Sequence, residues 1–337
     1  MPRKPRVEYA GAIYHVMSRG NHGDSIFRDE TDCEMFIDTL DEACIKTGWL
    51  VHAFVLMGNH YHLLLETPEA NLVAGMKWLQ GTYTQRFNSR HKVWGHLLQG
   101  RYKAIPVDQD TKGGYFQTVA NYIHLNPARA KSFDLEEEGL QDYRWSSYPL
   151  YLDKSKRPSW LVADRLLGAL GVEDDKRGCT WYRKYMQKRV LEIALSDDPQ
   201  EVDATWGKIR RGWYVGSDRF RQDLLEKLGK SLKDKQSSSF SGEAIREHNE
   251  AEAEVLIKQG LEKLGVAYYE LESMHKGAPE KMVIAWLLKK RTVVKNEWIC
   301  QHLLCGHPSN ISGYVRKTDR SREGKLSEYK KILKSED

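Results

Sequence analysis

The stretch WLVHAFVLMGNHYHLLLE, residues 49–66, contains two strand-like runs that are joined by a Gly-Asn pair. Apolar, β-branched and aromatic residues fill both runs, and such a pair between them is typical of a tight β-hairpin. Alternate side chains of a strand point to the same face, so we expect His60 and His62 on one face and Tyr61 on the other. The stretch therefore predicts an antiparallel strand pair that presents two imidazoles together.

Two helices and two further strands flank this hairpin. Apolar residues recur with helical spacing over residues 29–48 and again over residues 71–91, where Asn71 is the expected N-cap. Residues 11–20 and 101–107 have the composition of strands. The resulting order is β-α-β-β-α-β, the ferredoxin-like arrangement of an antiparallel sheet with both helices on one face. We therefore predict an α+β fold.

The remainder of the chain is predicted to be mostly helical. A further helix is expected over residues 111–126, and the polar stretch 233–242 is interpreted as a linker. The sequence thus divides into four segments, which are a domain with the sheet at 1–155, a mostly helical region of unknown role at 156–270, a three-helix segment at 275–320 and a basic tail at 321–337.

The three-helix segment has a recognisable spacing. Its helical patterns lie at 281–291, 296–304 and 308–318, and they are joined by a few residues each, with Gly306 in the second turn. Short helices with such a turn and a basic final helix favour a helix-turn-helix, the alternative being a small helical packing module.

The overall composition is that of a globular protein without a membrane span. Hydrophobic residues make up 40% and charged residues 29% of the chain. No apolar run approaches the roughly 20 residues that a span needs, and the basic N-terminus lacks the apolar run of a signal peptide. Five scattered cysteines fit free thiols in a reducing compartment, so we expect a cytoplasmic protein.

The basic residues are concentrated at the C-terminal end. The net charge is +5, yet residues 275–337 alone contain 14 Lys and Arg against 7 Asp and Glu. This excess fits a polyanionic partner such as nucleic acid, or simply a solvated lysine-rich terminus.

Two imidazoles on one rigid strand can chelate a divalent ion when the fold supplies a third ligand. In the motif NYIHLNP, Tyr122 and Asn126 are four residues apart and share a helical face. Asn126 would then donate an amide oxygen and place Tyr122 beside the metal, where a polarised target makes a tyrosine hydroxyl a useful nucleophile. Tyr115 is the alternative nucleophile. An exposed histidine pair and an ordinary half-buried aromatic are the alternatives without chemistry.

Several motifs together resemble the REP-associated tyrosine transposases of the HUH endonuclease superfamily, which are relatives of the one-tyrosine transposases of single-strand insertion sequences. The resemblance covers about residues 5–155. The motifs that carry it are MSRGN (17–21), MGNHYHLLLETP (57–68), GHLLQGRYKA (95–104), YIHLNPARA (122–130) and WSSY (145–148).

The resemblance implies that His60 and His62 bind Mg²⁺ or Mn²⁺, that Asn126 is the third ligand and that Tyr122 is the catalytic nucleophile. It implies cleavage and rejoining of single-stranded DNA through a 5′-phosphotyrosine intermediate and a free 3′-hydroxyl. Tyr61 departs from the large hydrophobe that usually separates the two histidines, and leaves both in place. Because the three ligands are neutral, the ion would keep its full positive charge for the scissile phosphate.

The implied substrate is single-stranded DNA whose palindromic repeat folds into a hairpin. Arg19, Arg101 and Lys103 are expected to contact phosphates, and Trp94 or Tyr102 could stack on bases. Surface charges and ordinary core aromatics are the alternatives for these residues.

The C-terminal helices resemble the helix-turn-helix of replication-initiator proteins, which implies binding of duplex DNA. The exposed candidates on its recognition helix are Ser309, Asn310, Ser312 and Arg316. A zinc site formed by the two cysteines and two histidines of residues 300–307 is an alternative, although zinc ligands normally come as two pairs from separate segments.

Two classes of function follow. One is an active transposase that nicks and joins DNA, which the complete set of His60, His62, Tyr122 and Asn126 favours. The other is a DNA-binding repressor of transposase descent that has lost cleavage. A metal-dependent hydrolase that uses water would make Tyr122 dispensable. The sequence leaves open the target DNA, whether the protein is a monomer or a homodimer, and whether the active site forms in cis or in trans.

Overall fold

We describe the chain from a computed structural model. The residues described are 6–110, 114–130, 139–195, 206–207, 209, 212–232 and 242–334. The chain forms two compact units, Arg6–Gln222 and Asp223–Asp337, which we call the N-terminal and the C-terminal unit. The segment predicted at 156–270 is divided between them, and the linker predicted at 233–242 lies almost entirely outside the described residues.

A four-stranded antiparallel sheet organises the N-terminal unit, with the strand order β2-β3-β1-β4. Helix α1 follows β1, and helix α2 follows the β2–β3 hairpin, so the α+β class and the ferredoxin-like order are confirmed. The elements are β1 (Ala12–Arg19), α1 (Glu30–Thr47), β2 (Leu50–Met57), β3 (His60–Thr67), α2 (Leu72–His91) and β4 (Lys103–Val107).

Helices α1 and α2 pack together on one face of the sheet, as the sequence predicts. Phe36 of α1 lies between the two elements it must join, since its ring centroid is 4.7 Å from that of Tyr61 on β3 and 5.0 Å from that of Tyr83 on α2. The Gln80 amide donates a hydrogen bond of 2.8 Å to the Tyr61 hydroxyl. Tyr61 therefore belongs to the core, and its two histidine neighbours point to the opposite face.

The two helices begin differently. Asp29 caps α1, because its carboxylate accepts from the backbone N–H of Asp32. Asn71 is the N-cap residue of α2, as predicted, and its carbonyl accepts from the Gly75 N–H, but its side chain makes no capping hydrogen bond. Its amide instead donates to the Thr47 carbonyl and accepts from the Trp49 indole, so Asn71 joins the end of α1 to the start of β2.

The N-terminal unit contains further helices after β4. These helices are α3 (Tyr115–His124), α4 (Asn126–Arg129), α5 (Tyr148–Leu152), α6 (Asp164–Ala169) and α7 (Lys176–Ala194).

Helix α3 packs on β2 and β3, where Phe116 lies 5.0 Å from His52 between ring centroids. The helix predicted over residues 111–126 ends at His124, and Pro127 lies in the first turn of the next helix, α4. The chain returns to β4 later, because Asp108 and Val215 share a backbone hydrogen bond of 2.7 Å.

The C-terminal unit is a helical bundle, which confirms the mostly helical second half of the chain. Helix α8 (Asp218–Leu232) spans the division between the units. It is followed by α9 (Glu243–Lys263), α10 (Pro279–Arg291), α11 (Asn296–Leu303), α12 (Ser309–Arg320) and α13 (Lys325–Lys334). None of the helices among the described residues is long and apolar enough to cross a membrane.

Helix α10 is the centre of this bundle. Every residue from Glu280 to Leu288 is buried, and α9, α11, α12 and α13 all contact α10. Lys281 is only 1% exposed, and its ammonium donates to the carbonyls of Met274 and Leu304. The apolar core therefore surrounds one helix, and a single buried lysine ties two loops to it.

Candidate active site

A cavity of about 620 Å³ lies on the sheet face that α3 covers. Residues of β1, β3, β4, α3 and α4 line it. Seven of the residues that the sequence singles out in this unit lie along its wall, namely Arg19, His60, His62, Arg101, Lys103, Tyr122 and Asn126. The alternative nucleophile Tyr115 is the first residue of α3 and is not among the described lining residues.

The strand register places the two histidines side by side. His62 is paired with Met17 and His60 with Arg19 across β3 and β1. The two imidazole centroids are 5.2 Å apart, and the ring planes are almost perpendicular. Burial lowers the pKa of His60, which keeps its imidazole neutral and able to bind a metal.

The turn before β3 fixes the tautomer of His60. The Asn59 amide nitrogen donates to the Gly23 carbonyl, so its oxygen Oδ1 faces Nδ1 of His60 at 2.7 Å. An amide oxygen only accepts, and the proton of the neutral imidazole is therefore on Nδ1. This leaves the lone pair of His60 on Nε2, the atom that would bind a metal.

A third histidine, His15 on β1, contacts His62 and was missed by the sequence analysis. It is completely buried, and its Nε2 lies 2.8 Å from Nδ1 of His62. Its Nδ1 lies 3.2 Å from the backbone carbonyl of Ile209. Burial lowers the pKa of His15 to about 3. The only signal in the sequence is a lone histidine in an otherwise apolar strand, which more often has a structural role.

Tyr122 lies between the histidines and two later residues. Its ring centroid is 5.6 Å from that of His62 and 5.7 Å from that of His15, both in edge-on orientation. Trp206 packs on the other side at 5.3 Å, and the guanidinium of Arg129 lies 5.0 Å from the ring. The ring is only 2% exposed, so the surrounding side chains hold it in one position.

Asn126 lies one helical turn beyond Tyr122, as its spacing predicts. Its amide nitrogen donates to the Tyr122 carbonyl at 3.2 Å, which leaves Oδ1 as the ligand atom of the side chain. Two imidazole nitrogens and one amide oxygen form a neutral donor set around the cavity, and such donors suit a divalent ion whose other positions remain for water or phosphate. The residues present therefore fit the divalent metal that the sequence predicts.

The described residues contain no group of three or more His, Cys, Asp or Glu side chains placed to hold a metal ion. The candidate set of His60, His62 and Asn126 contains only two side chains of these types. The zinc site considered at residues 300–307 is not formed. Cys300 and Cys305 are buried in the apolar core, and the Cys300 thiol donates to the Gly306 carbonyl.

The cavity wall is positively charged. Its cationic residues are Arg19, Arg101, Lys103 and Arg129, and the described lining contains no carboxylate. Such a wall attracts the phosphates of a nucleic acid.

Of the two aromatics considered for stacking, Trp94 is 92% exposed. Tyr102 is buried, and Arg6 covers its ring at 3.7 Å. Trp94 is therefore the aromatic that a base could reach.

The four candidates of the C-terminal unit all lie on α12. Ser309, Ser312 and Arg316 are exposed, whereas Ile311 between them is buried. Asn310 is half-buried, and its amide donates to the Cys305 carbonyl in the preceding turn. Three of the four predicted side chains thus lie at the surface, and their role in binding DNA stays a prediction.

Comparison with known proteins finds a family that is similar to part of the N-terminal unit. Residues 8–126 match the model of the family described as "Transposase IS200 like". The matched residues, about a third of the chain, are similar to this family. The match agrees with the resemblance that the motifs of residues 5–155 carry. The helix-turn-helix resemblance lies outside the matched residues and stays a prediction.

Two solved structures show a weaker likeness. One is a REP-associated tyrosine transposase bound to a REP hairpin, with 15% identity over 49% of this chain and 93% of that chain and a TM-score of 0.38. The other is a putative transposase from Deinococcus radiodurans R1, with 23% identity over 35% of this chain and 96% of that chain and a TM-score of 0.26. No curated protein matches the chain.

Proposed function

We propose that the N-terminal unit is a metal-dependent tyrosine transposase, which cleaves and rejoins single-stranded DNA at hairpin-forming repeats. The observation that carries this proposal is the meeting of His60, His62, Tyr122 and Asn126 at one cavity with a cationic wall. The family match supports a transposase, and the preference for hairpin repeats rests on the resemblance of the sequence motifs.

Three side chains would hold the metal in this proposal, through Nε2 of His60, Nε2 of His62 and Oδ1 of Asn126. Bound Mg²⁺ or Mn²⁺ would act as a Lewis acid that stabilises negative charge on the scissile phosphate. The cationic side chains Arg19, Arg101 and Lys103 would bind the phosphates on either side and align the strand.

Tyr122 would carry out the transfer. Its hydroxyl loses its proton and attacks the phosphorus, a bond forms between Oη and phosphorus, and the bond from phosphorus to the 3′-oxygen breaks. The leaving oxygen takes up a proton and becomes a free 3′-hydroxyl. A 3′-hydroxyl that attacks the phosphotyrosine reverses these steps, so rejoining needs no external energy source. Packing against His15, His62 and Trp206 would hold the phenol in place for both directions.

We extend the proposal to the whole chain. The C-terminal unit would bind duplex DNA through α12, with Ser309, Ser312 and Arg316 facing the DNA and Asn310 shaping the turn. The protein would act in the cytoplasm, as a monomer or a homodimer.

A covalent-adduct experiment tests the nucleophile. The full chain is incubated with Mn²⁺ and labelled single-stranded oligonucleotides that carry the hairpin repeats flanking its gene, and the products are separated on a denaturing gel. We expect a metal-dependent protein–DNA adduct that is lost in Tyr122→Phe and retained in the matched control Tyr115→Phe.

Other outcomes of this experiment would contradict the proposal. Cleavage without an adduct would mean hydrolysis by water. Loss of the adduct in Tyr115→Phe alone would move the nucleophile to the start of α3. Tight binding of the hairpin without cleavage by the wild-type protein would indicate the non-catalytic repressor.

A further inference from the structure

A chain of hydrogen bonds runs from a backbone carbonyl through one imidazole to another. The Ile209 carbonyl lies 3.2 Å from Nδ1 of His15, and Nε2 of His15 lies 2.8 Å from Nδ1 of His62. The exposed fractions of the three residues are 3%, 0% and 5%. Water therefore does not compete for these bonds, and each proton must lie between the two atoms that share it.

The chemistry of the groups decides which way the protons point. A carbonyl oxygen only accepts, so Nδ1 of His15 must carry a proton. His15 is completely buried, where a neutral imidazole with a single N–H is favoured over a cation. Its Nε2 therefore has a lone pair and accepts a hydrogen bond from Nδ1–H of His62.

The proton of His62 thus lies on Nδ1, and its lone pair lies on Nε2. If the direction of these hydrogen bonds were reversed, two lone pairs would face each other, one on the Ile209 oxygen and one on Nδ1 of His15. Reversal would also put the proton of His62 on Nε2, where no metal can bind. Only the first arrangement satisfies both of these hydrogen bonds, and it leaves His62 in the ligand tautomer.

Another buried histidine shows that this arrangement is not general. His124 is also completely buried, but its two nitrogens meet the hydroxyls of Tyr182 and Ser147, each at 2.7 Å. A hydroxyl can both donate and accept, so these partners allow either tautomer. His15 differs because its outer partner is an acceptor alone, and this sets a direction.

We propose that His15 is a positioning residue which, anchored on the Ile209 carbonyl, holds His62 in the tautomer that binds the metal. This inference rests on the proposed metal role of His62. It also gives part of the chain outside the matched residues 8–126 a function, because Ile209 lies more than eighty residues beyond them and completes the support of the site. Outer hydrogen-bond partners of metal-binding histidines typically change metal affinity about 10- to 100-fold.

The first test needs no variant. The full chain is labelled with ¹⁵N at histidine, and long-range proton–nitrogen correlations are recorded without metal. We expect His62 to carry its proton on Nδ1, and His60 likewise. A proton on Nε2 of His62 in the metal-free protein would overturn the proposal.

The second test measures Mn²⁺ affinity from the electron paramagnetic resonance of free Mn²⁺. We expect His15→Phe to weaken binding about 10- to 100-fold, and His15→Gln, whose amide can both donate and accept, to recover much of the loss. The matched control is His52→Phe, which removes a buried imidazole from the same sheet face without touching His62, and should bind normally. Thermal unfolding shows that each variant is folded.

The outcomes separate the two proposals. Unchanged Mn²⁺ affinity in a folded His15→Phe variant would overturn the positioning role and leave the proposed transposase intact. A wild-type protein that binds no Mn²⁺, although His62 has the expected tautomer, would overturn the metal role and the inference that rests on it.

Discussion

The two units of this chain differ in how deeply they bury their histidines. In the N-terminal unit four histidines are buried, which are His15, His52, His62 and His124. The described histidines of the C-terminal unit, at positions 248, 275, 302 and 307, are half-buried or exposed, and its core is apolar around α10. A buried imidazole must stay neutral and find hydrogen-bond partners, which an apolar side chain need not do. The core of the N-terminal unit therefore keeps four buried imidazoles, whereas none of the described histidines of the C-terminal unit is buried.

The largest effect is expected from removing a buried histidine of the N-terminal unit. His62→Ala should lower the rate of covalent-adduct formation by about a thousandfold, because the phosphate charge loses its stabilisation. His302→Ala, the matched change in the C-terminal unit, should leave the rate unaltered. Initial rates on hairpin oligonucleotides at saturating Mn²⁺ measure both, and an equal loss in the two variants would remove the contrast between the units.

Truncation of a buried apolar side chain should lower the stability of the C-terminal unit. Ile299 is completely buried in the C-terminal core, so Ile299→Ala should lower the free energy of unfolding of that unit by about 3 kcal/mol. The control is Val255, which is 54% exposed on α9. Val255→Ala should change the free energy of unfolding by less than about 0.5 kcal/mol. Hydrogen exchange of α10 amides reports both values. Similar values for the two variants would show that the α10 core is not what stabilises this unit.

Two glycines of α2 test how tightly the scaffold of the site is packed. A Cβ at Gly75 would lie 2.1 Å from the ring of Trp49, which is only 1% exposed, so Gly75→Ala should cost about 2 kcal/mol. Gly81 has nothing within 4 Å of such a Cβ, and Gly81→Ala should stabilise the helix by about 0.5–1 kcal/mol. Urea unfolding measures the two changes, and a stabilising Gly75→Ala would mean that Trp49 moves freely.

A smaller effect is expected on the proposed binding of duplex DNA by the C-terminal unit. Arg316→Ala on α12 should weaken binding of duplex DNA about tenfold and reduce the salt dependence by about one phosphate contact. Arg322 is also exposed but follows α12, and Arg322→Ala should bind nearly as the wild type does. Fluorescence anisotropy at several salt concentrations checks this. Equal losses would indicate non-specific charge attraction and argue against a recognition helix.

The smallest effect concerns pH. The hydrogen bond from His52, with the nearby Arg165, holds the pKa of Glu66 below its usual range. A carboxylate with a lowered pKa in the folded state stabilises the protein above the unfolded pKa of about 4.5, and this is lost as the pH falls through the folded value. Glu66→Gln should therefore flatten the decline of stability below pH 4.5 in urea unfolding. An unchanged decline would show that other carboxylates dominate.

Local periodicity accounts for what the sequence could predict. Side chains alternate along β3, so His60 and His62 lie on one face of the strand. Tyr122 on α3 and Asn126 on α4 are four residues apart, so they lie on the same side of this helical segment. Each of these relations joins residues close in the chain.

The residues that were missed are joined by long-range contacts. His15 meets Ile209 across 194 positions, and Trp206 reaches Tyr122 from the same later segment. No local pattern marks such partners. Asn71 has the predicted N-cap position, but its side chain bonds to Trp49 and Thr47 and not to the helix end, which no local pattern indicates.

The register of the β2–β3 hairpin has a consequence for how this protein can change. His60 and His62 face the cavity because an even number of positions separates them, and Tyr61 faces Phe36 because it lies one position off. Loss of one residue from the Gly58-Asn59 turn would bring Tyr61 to the cavity and press two imidazoles into the aromatic core. The pairing that this turn sets therefore decides which chemical groups line the cavity and which fill the core.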